Sequence, residues 1–310
     1  LRNMRRIAVA ASVLLLVTVG GTWLGKGDRD TVGHFQPTTE TGGRGRALLT
    51  LSTGERVVLS QQDTLLQSEE ISIRVNRAGE AVYETKDSVV PSSTTYNIME
   101  VPQGAEFHLT LGDGTKVWLN SGSTLTYSTD YAKDRRSVKL NGQAFFDVVR
   151  DSKRQFDVSV GDVKVLVHGT AFDVNGYGDH SELEVVLLRG HVTVVSALTD
   201  KLLADMKPNQ KVIIPLHEME KCKLEACDAE VESVWRLGKL KIENENLQEI
   251  VQKMERWYGI KIQLHDVPEN KRYWMTIKTE SLREMLEIIN RVTPITYTIN
   301  GEEVSITGRK

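Results

Sequence analysis

The chain has 310 residues, enough for two domains with cores of their own. Its formal net charge of -3 argues against a nucleic-acid partner, which would require a basic field. The only cysteines, Cys222 and Cys227, lack the second ligand pair of a structural zinc site and leave open either a small disulfide or two free thiols.

In chain order, a stub at Leu1–Arg6 carries Arg2, Arg5 and Arg6 and precedes an uncharged apolar run, Ile7–Leu24, with Trp23 where an interfacial aromatic belongs. This predicts one transmembrane helix with a cytoplasmic N-terminus. A signal peptide shares the basic start and apolar middle, but no A-x-A cleavage site follows the apolar run, which is long for one. Both readings export everything after Lys26. Gly25–Gly45 is polar and rich in glycine and threonine, a flexible tether.

Residues 46–216 read as an all-β body. Phe107, Leu109, Leu111, Val117 and Leu119 share one face, His108, Thr110, Lys116 and Trp118 the other, and Gly112-Asp113-Gly114 reverses the chain. Val163, Val165 and Val167, then Phe172 and Val174, then Leu183, Val185 and Leu187, then Val192 and Val194 continue the alternation, with glycines at the reversals. Ala47–Leu66 matches Phe107–Thr126 at a constant offset of 60, with Leu49/Leu109, Gly54/Gly114, Val57/Val117 and Leu59/Leu119 among the identities. This internal repeat favours a solenoid-like stack of strands over a plain sandwich. Arg135, Arg136 and Lys139 form a basic cluster that neighbouring aspartates dilute, which reads as a solvated face.

Residues 217–234 form a charged connector, and at Trp235 the period changes. Leu247, Ile250, Val251 and Met254 recur at helical spacing, with Asn246 and Glu249 as a capping pair and Gly259 as the stop. Ile260, Ile262 and Leu264 make a strand, as do Tyr273, Met275 and Ile277. Ser281–Glu284 is a capping box for a second helix bearing Leu282, Met285, Leu286 and Ile289. Ile295, Tyr297 and Ile299 lead through Asn300-Gly301 to Val304 and Ile306. Residues 235–310 are therefore a βαβ-βαβ domain with a final strand, and the whole is mainly β with a small α/β domain.

Four ordered phrases, LGDGTKVWLN, RSVKLNGQAFFDV, VLVHGTAFDV and LLRGHVTVV, resemble the FecR family in the form common among gut Bacteroidetes. Gln143-Ala144-Phe145 stands where that family usually has Glu-Ala-Tyr, and Val167-His168 intrudes before Gly169-Thr170. The phrases WRLGKLKIENENLQEIVQKMERWYGIKI and ESLREMLEIINRVTPITYTI resemble the secretin and TonB short N-terminal domain that ends such proteins. The resemblance implies an inner-membrane, single-pass anti-sigma factor with its bulk in the periplasm. Its terminal domain would pair with the signalling domain of a TonB-dependent outer-membrane transducer, and its cytoplasmic segment would control an ECF sigma factor. Leu1–Arg6 cannot fold around a sigma factor, so that contact is expected only if a longer cytoplasmic segment exists in the full protein.

No catalytic constellation converges. His217-Glu218 reaches Lys221 rather than a second histidine, Ser121-Gly122-Ser123 has no nearby base in sequence, and Asp173-Val174-Asn175-Gly176 lacks the closing glutamate of a calcium loop. His168, His180 and His191 read as surface residues; no metal, cofactor or enzymatic activity is expected. Trp257 and Tyr258 read as core. Trp274 points away from Tyr273 and Met275 and is an anchor candidate. The strand of Ile295, Tyr297 and Ile299 is an edge open to strand addition. The alternative is a membrane-anchored β-solenoid that binds glycan or scaffolds envelope proteins.

Overall fold

The computed structural model describes residues 47–59, 64–67, 71–75, 80–85, 96–128, 136–278 and 280–309. The expected membrane helix and tether lie outside them. Among the described residues no helix is long and apolar enough to cross a membrane.

The alternating runs become short strands. β1 (Ala47–Thr50) and β2 (Arg56–Leu59) form a hairpin, β3 (Thr64–Gln67), β4 (Ile71–Val75) and β5 (Glu80–Thr85) a meander, and β6 (Tyr96–Glu100) returns beside β1. A second hairpin, β7 (Phe107–Thr110) and β8 (Lys116–Leu119), leads to β9 (Thr124–Ser128) and the long β10 (Arg136–Asp147). β11 (Phe156–Val160), β12 (Val163–Val167), β13 (Ala171–Gly176) and β14 (Glu182–Arg189) follow. β15 (Val192–Ser196), β16 (Leu202–Met206), β17 (Gln210–Pro215) and β18 (Lys223–Ala226) complete the body.

These strands form two sheets. One runs β2-β1-β6-β9-β10-β11-β12-β15-β16, the other β3-β4-β5-β7-β8-β10-β13-β14-β17-β18. β10 belongs to both. Its first half pairs with β9 and β11, its second with β8 and β13, and it passes between the sheets at Gly142, whose φ is +114°. A Cβ there would lie 2.5 Å from Ser123 Oγ, so only glycine permits the bend at this closeness. Just beyond it Phe146 stacks on Phe172 of its own sheet at 5.2 Å and meets Phe156 of the other at 6.1 Å. A single apolar core therefore fills the space between the sheets.

The internal repeat is present in three dimensions, but not as expected. Leu49 faces Val57 in the first hairpin as Leu109 faces Val117 in the second, and each turn closes with a glycine, at φ +86° and +83°. The first hairpin lies in one sheet and is followed by a strand in the other; the second reverses this assignment. The copies thus face each other across the core instead of stacking, and their strands pair antiparallel within each hairpin. This corrects the solenoid expectation: among the described strands of the body only β5–β7 and β10–β11 pair in parallel. A hairpin that buries one face has the same pattern whether its copy lies beside it or opposite.

Arg136 requires a second correction, since it is 1% exposed rather than on a solvated face. Nη1 donates to Asp113 Oδ2 and to the Val149 carbonyl, both at 2.9 Å, and Nη2 to the Arg154 carbonyl at 2.9 Å. Asp113, whose side chain is 4% exposed, also accepts from the Thr115 amide and hydroxyl. A buried arginine needs such a set of acceptors, and here it ties the β7–β8 turn to the start of β10 and the loop before β11.

The connector also departs from expectation. Its residues Lys223–Ala226 pair with β17 although all four are exposed, so no apolar alternation betrays the strand. A short helix, α1 (Ala229–Glu232), follows. The terminal domain then runs β19 (Leu240–Glu245), α2 (Leu247–Tyr258), β20 (Lys261–His265), β21 (Tyr273–Ile277), α3 (Leu282–Val292), β22 (Ile295–Asn300) and β23 (Glu303–Gly308), the expected order. Both expected capping boxes are formed, and Gly259 ends α2 in the left-handed conformation. The expected helix faces, with Trp257 and Tyr258, fill the domain's core against β19–β21 and β20-β23-β22.

Replacing Arg136 by alanine strands Asp113 in the core. The expected loss is roughly 3–5 kcal/mol, read as a lower urea midpoint at unchanged slope. A loss below about 1 kcal/mol would mean the pair acts like one on the surface.

Candidate functional site

Trp274 is 63% exposed on β21, with Tyr273 beside it buried at 3%, so the ring projects away from the core as expected. Among the described residues β21 pairs only with β19, leaving its other edge open. β22 likewise pairs only with β23. Of its candidate side chains Ile295 is 1% exposed in the core, while Tyr297 and Ile299 are half-buried against it. Tyr297 donates its hydroxyl proton to Glu287 of α3. The β22 edge therefore offers a partner its backbone and the exposed Thr296, Thr298 and Asn300 rather than Ile295.

The structure also brings together a set that the sequence did not reveal, where the body meets the terminal domain. The last carbonyls of a helix lack intrahelical donors. In α2 the Arg256 carbonyl is one of these, and the body supplies the donors: Gly104 N at 2.9 Å and Ser121 Oγ at 2.5 Å. Ser121 Oγ in turn accepts from Gly104 N at 2.8 Å. The backbones approach so closely that a Cβ on Gly104 would lie 3.1 Å from Gly259 Cα, and one on Gly259 3.0 Å from the Gln103 carbonyl oxygen.

The Arg256 side chain grips the body as well. Its guanidinium lies 4.4 Å over the Tyr177 ring, and Nη1 reaches Asp179 at 3.3 Å. Nη2 lies 2.9 Å from His180 Nε2. Arginine can only donate, so Nε2 accepts and the imidazole is neutral. Burial and the adjacent Arg256 charge hold the His180 pKa below its ordinary value. Tyr177 closes the group by donating to the Ser121 carbonyl at 2.7 Å.

Beside this contact lies a polar cavity of about 230 Å³. Asp173 of β13 forms its body wall, accepting from Trp235 Nε1 at 2.6 Å and from Gln143 Nε2 at 2.9 Å. Trp235 packs with Phe145 and Ala171 of the body, not in the terminal core. Burial raises Asp173 from 3.8 to about 7, against the two hydrogen bonds, which favour the charged form. Across the cavity Glu232 of α1 bridges Lys211 of β17 at 3.5 Å and Lys241 of β19 at 3.3 Å.

The other candidates do not converge. His180 belongs to the Arg256 contact and His191 pairs with Asp205 at 2.7 Å. Among the described residues no group of three or more potential ligands could hold a metal. Cys222 and Cys227 are free thiols.

The arrangement is that of a two-module protein, with a β sandwich gripping a small α/β domain that presents open strand edges and an exposed tryptophan. Residues 97–193 match the family model for the FecR protein, and residues 239–306 match the model for the FecR C-terminal domain. The chain belongs to the FecR family of anti-sigma regulators, a regulatory family rather than an enzymatic one. Two crystal structures of a candidate anti-sigma factor from Parabacteroides distasonis ATCC 8503, at 2.50 Å and 1.65 Å, are each 26% identical to it. They align with TM-scores of 0.63 and 0.62 over 69% of this chain, and over 100% and 99% of their own. No curated protein matches the chain.

Asp173 sets a pH dependence. Its folded value of about 7 exceeds the ordinary 3.8, so the folded state holds the proton more tightly than the unfolded chain. The stabilisation is complete below the lower value and declines as pH rises through the higher one. The stability of the wild type minus that of Asp173→Asn, from urea midpoints, should therefore fall as pH rises from 4 to 7 and then level off. A difference that is flat or grows with pH would contradict the assignment.

Proposed function

We propose that this chain receives a signal from a TonB-dependent outer-membrane transducer and relays it to an ECF sigma factor. In this reading Ile7–Leu24 anchors the chain once in the inner membrane, and the body and terminal domain occupy the periplasm. The transducer's signalling domain docks on the terminal domain. The sigma-factor contact falls to residues on the cytoplasmic side of the anchor.

The observation that carries the reading is the terminal domain's surface within a chain of this family. Trp274 leaves most of its ring in water, on a two-stranded sheet with an open edge. A large exposed aromatic gains most by entering a partner's pocket, and an unpaired strand edge gains by pairing. Together they suit a small α/β signalling domain that adds a strand and receives the indole.

Titrating the full chain with a panel of transducer signalling domains from the same cell, by calorimetry, tests this. One of them should bind, and Trp274→Ala should weaken that complex at least tenfold, or about 1.4 kcal/mol. Because the ring is exposed, the melting temperature should not change. Absence of binding across the panel, or an unaltered affinity for the variant, would overturn the proposal.

A further inference from the structure

The joint between body and terminal domain has two sides with opposite physical character. On one side Gly104, Ser121, Gly259 and Arg256 meet in direct backbone contact, with Tyr177, 8% exposed, beneath. Separating them would leave the Arg256 carbonyl without a partner, at roughly 1–3 kcal/mol if it is kept from water, and the Gly104 amide with Ser121 Oγ alone. On the other side lies the polar cavity, where Asn175 Oδ1 and Glu245 Oε2 are buried without a protein partner. About 230 Å³ with such acceptors has room for several waters, so ion pairs at its rim exchange readily for hydration.

The chain connecting the modules divides at the same place. Trp235 is fixed to the body through Asp173, and Lys211 holds Glu232, so the connector travels with the body. The next residue with special backbone geometry is Gly238, at φ +68°, two positions before β19. Beyond it, the Glu232–Lys241 pair is the charge contact that ties the connector back to the terminal domain.

We propose that the terminal domain is a lever that rocks on the body, with the Gly104–Gly259 contact as pivot, Gly238 as hinge and the Glu232–Lys241 pair as a releasable clasp. Opening widens the polar cavity and keeps the α2 carbonyl capped. A partner that binds one position of the lever more tightly shifts the population towards it, which turns docking on the terminal domain into movement of the connector. That use in signalling rests on the transducer reading; the movement itself does not.

Pulsed dipolar spectroscopy on the full chain measures it directly. Cys222 and Cys227 are replaced by serine, and spin labels are placed through Leu198→Cys on the body, a residue 69% exposed, and Lys261→Cys on the terminal domain. At low salt the parent should give one narrow distance distribution. Glu232→Gln should add a second, shifted population, and molar sodium chloride should do the same to the unmutated joint, so the result does not depend on how the variant folds. Glu218→Gln, which removes an exposed pair with Lys221, is the control and should change nothing. A distribution unmoved by both salt and Glu232→Gln would overturn the lever. Neither arm contains a partner, so failure here leaves the transducer reading to its own binding assay, and failure there leaves the lever standing.

Discussion

One helix end, capped from another module, organises this molecule. A helix that stops at Tyr258 must find donors for its last carbonyls, and the terminal domain does not supply one to Arg256. The body does, through Gly104 and Ser121, and only because glycines face each other at the contact. Once the backbones touch, the Arg256 side chain has nowhere to go but over Tyr177, and His180 is kept neutral by the hydrogen bond it accepts. A residue that would ordinarily sit in solvent near the end of an amphipathic helix becomes the point at which two domains are joined.

The body serves this contact by being stiff. Its two sheets share β10, so the strand that turns at Gly142 carries both faces of the sandwich in one covalent piece. The Ser121 turn that caps α2 is braced against that strand, since Ser123 exchanges hydrogen bonds with the Gln143 backbone just past the bend. Gln143 in turn reaches Asp173, and Asp173 holds Trp235. A line of hydrogen bonds therefore runs from the helix cap through the core strand to the connector. Low-dielectric surroundings strengthen such a line when every member is satisfied and penalise it when one is lost.

Much of this architecture can be read from residue order. The hairpins follow from alternation with a glycine at each reversal, and the terminal domain follows from two capping boxes and helical spacing at Leu247–Met254 and Leu282–Ile289. Local rules suffice there because each element decides its own conformation. They fail where the deciding partner is remote. Arg136 resembles a surface arginine until Asp113, 23 positions earlier, is placed beside it. Ser121 and Arg256 are separated by 135 positions, and neither has a local pattern that points to the other. The repeat was visible, but identical hairpins bury identical faces whether stacked or opposed, so its geometry was not. Glycines carry the available signal: Gly104 and Gly259 look like ordinary turn and stop residues, yet each also permits a close approach.

The body caps α2 and so holds the terminal domain. The Gly104 amide reports on it directly, because its acceptors are the Arg256 carbonyl in the other domain and a serine that also bonds to that carbonyl. Hydrogen exchange of the full chain should find this amide as protected as the amides of β10, although it lies in a turn. Exchange at the rate of an exposed loop would contradict this and mean that the domains are apart in solution.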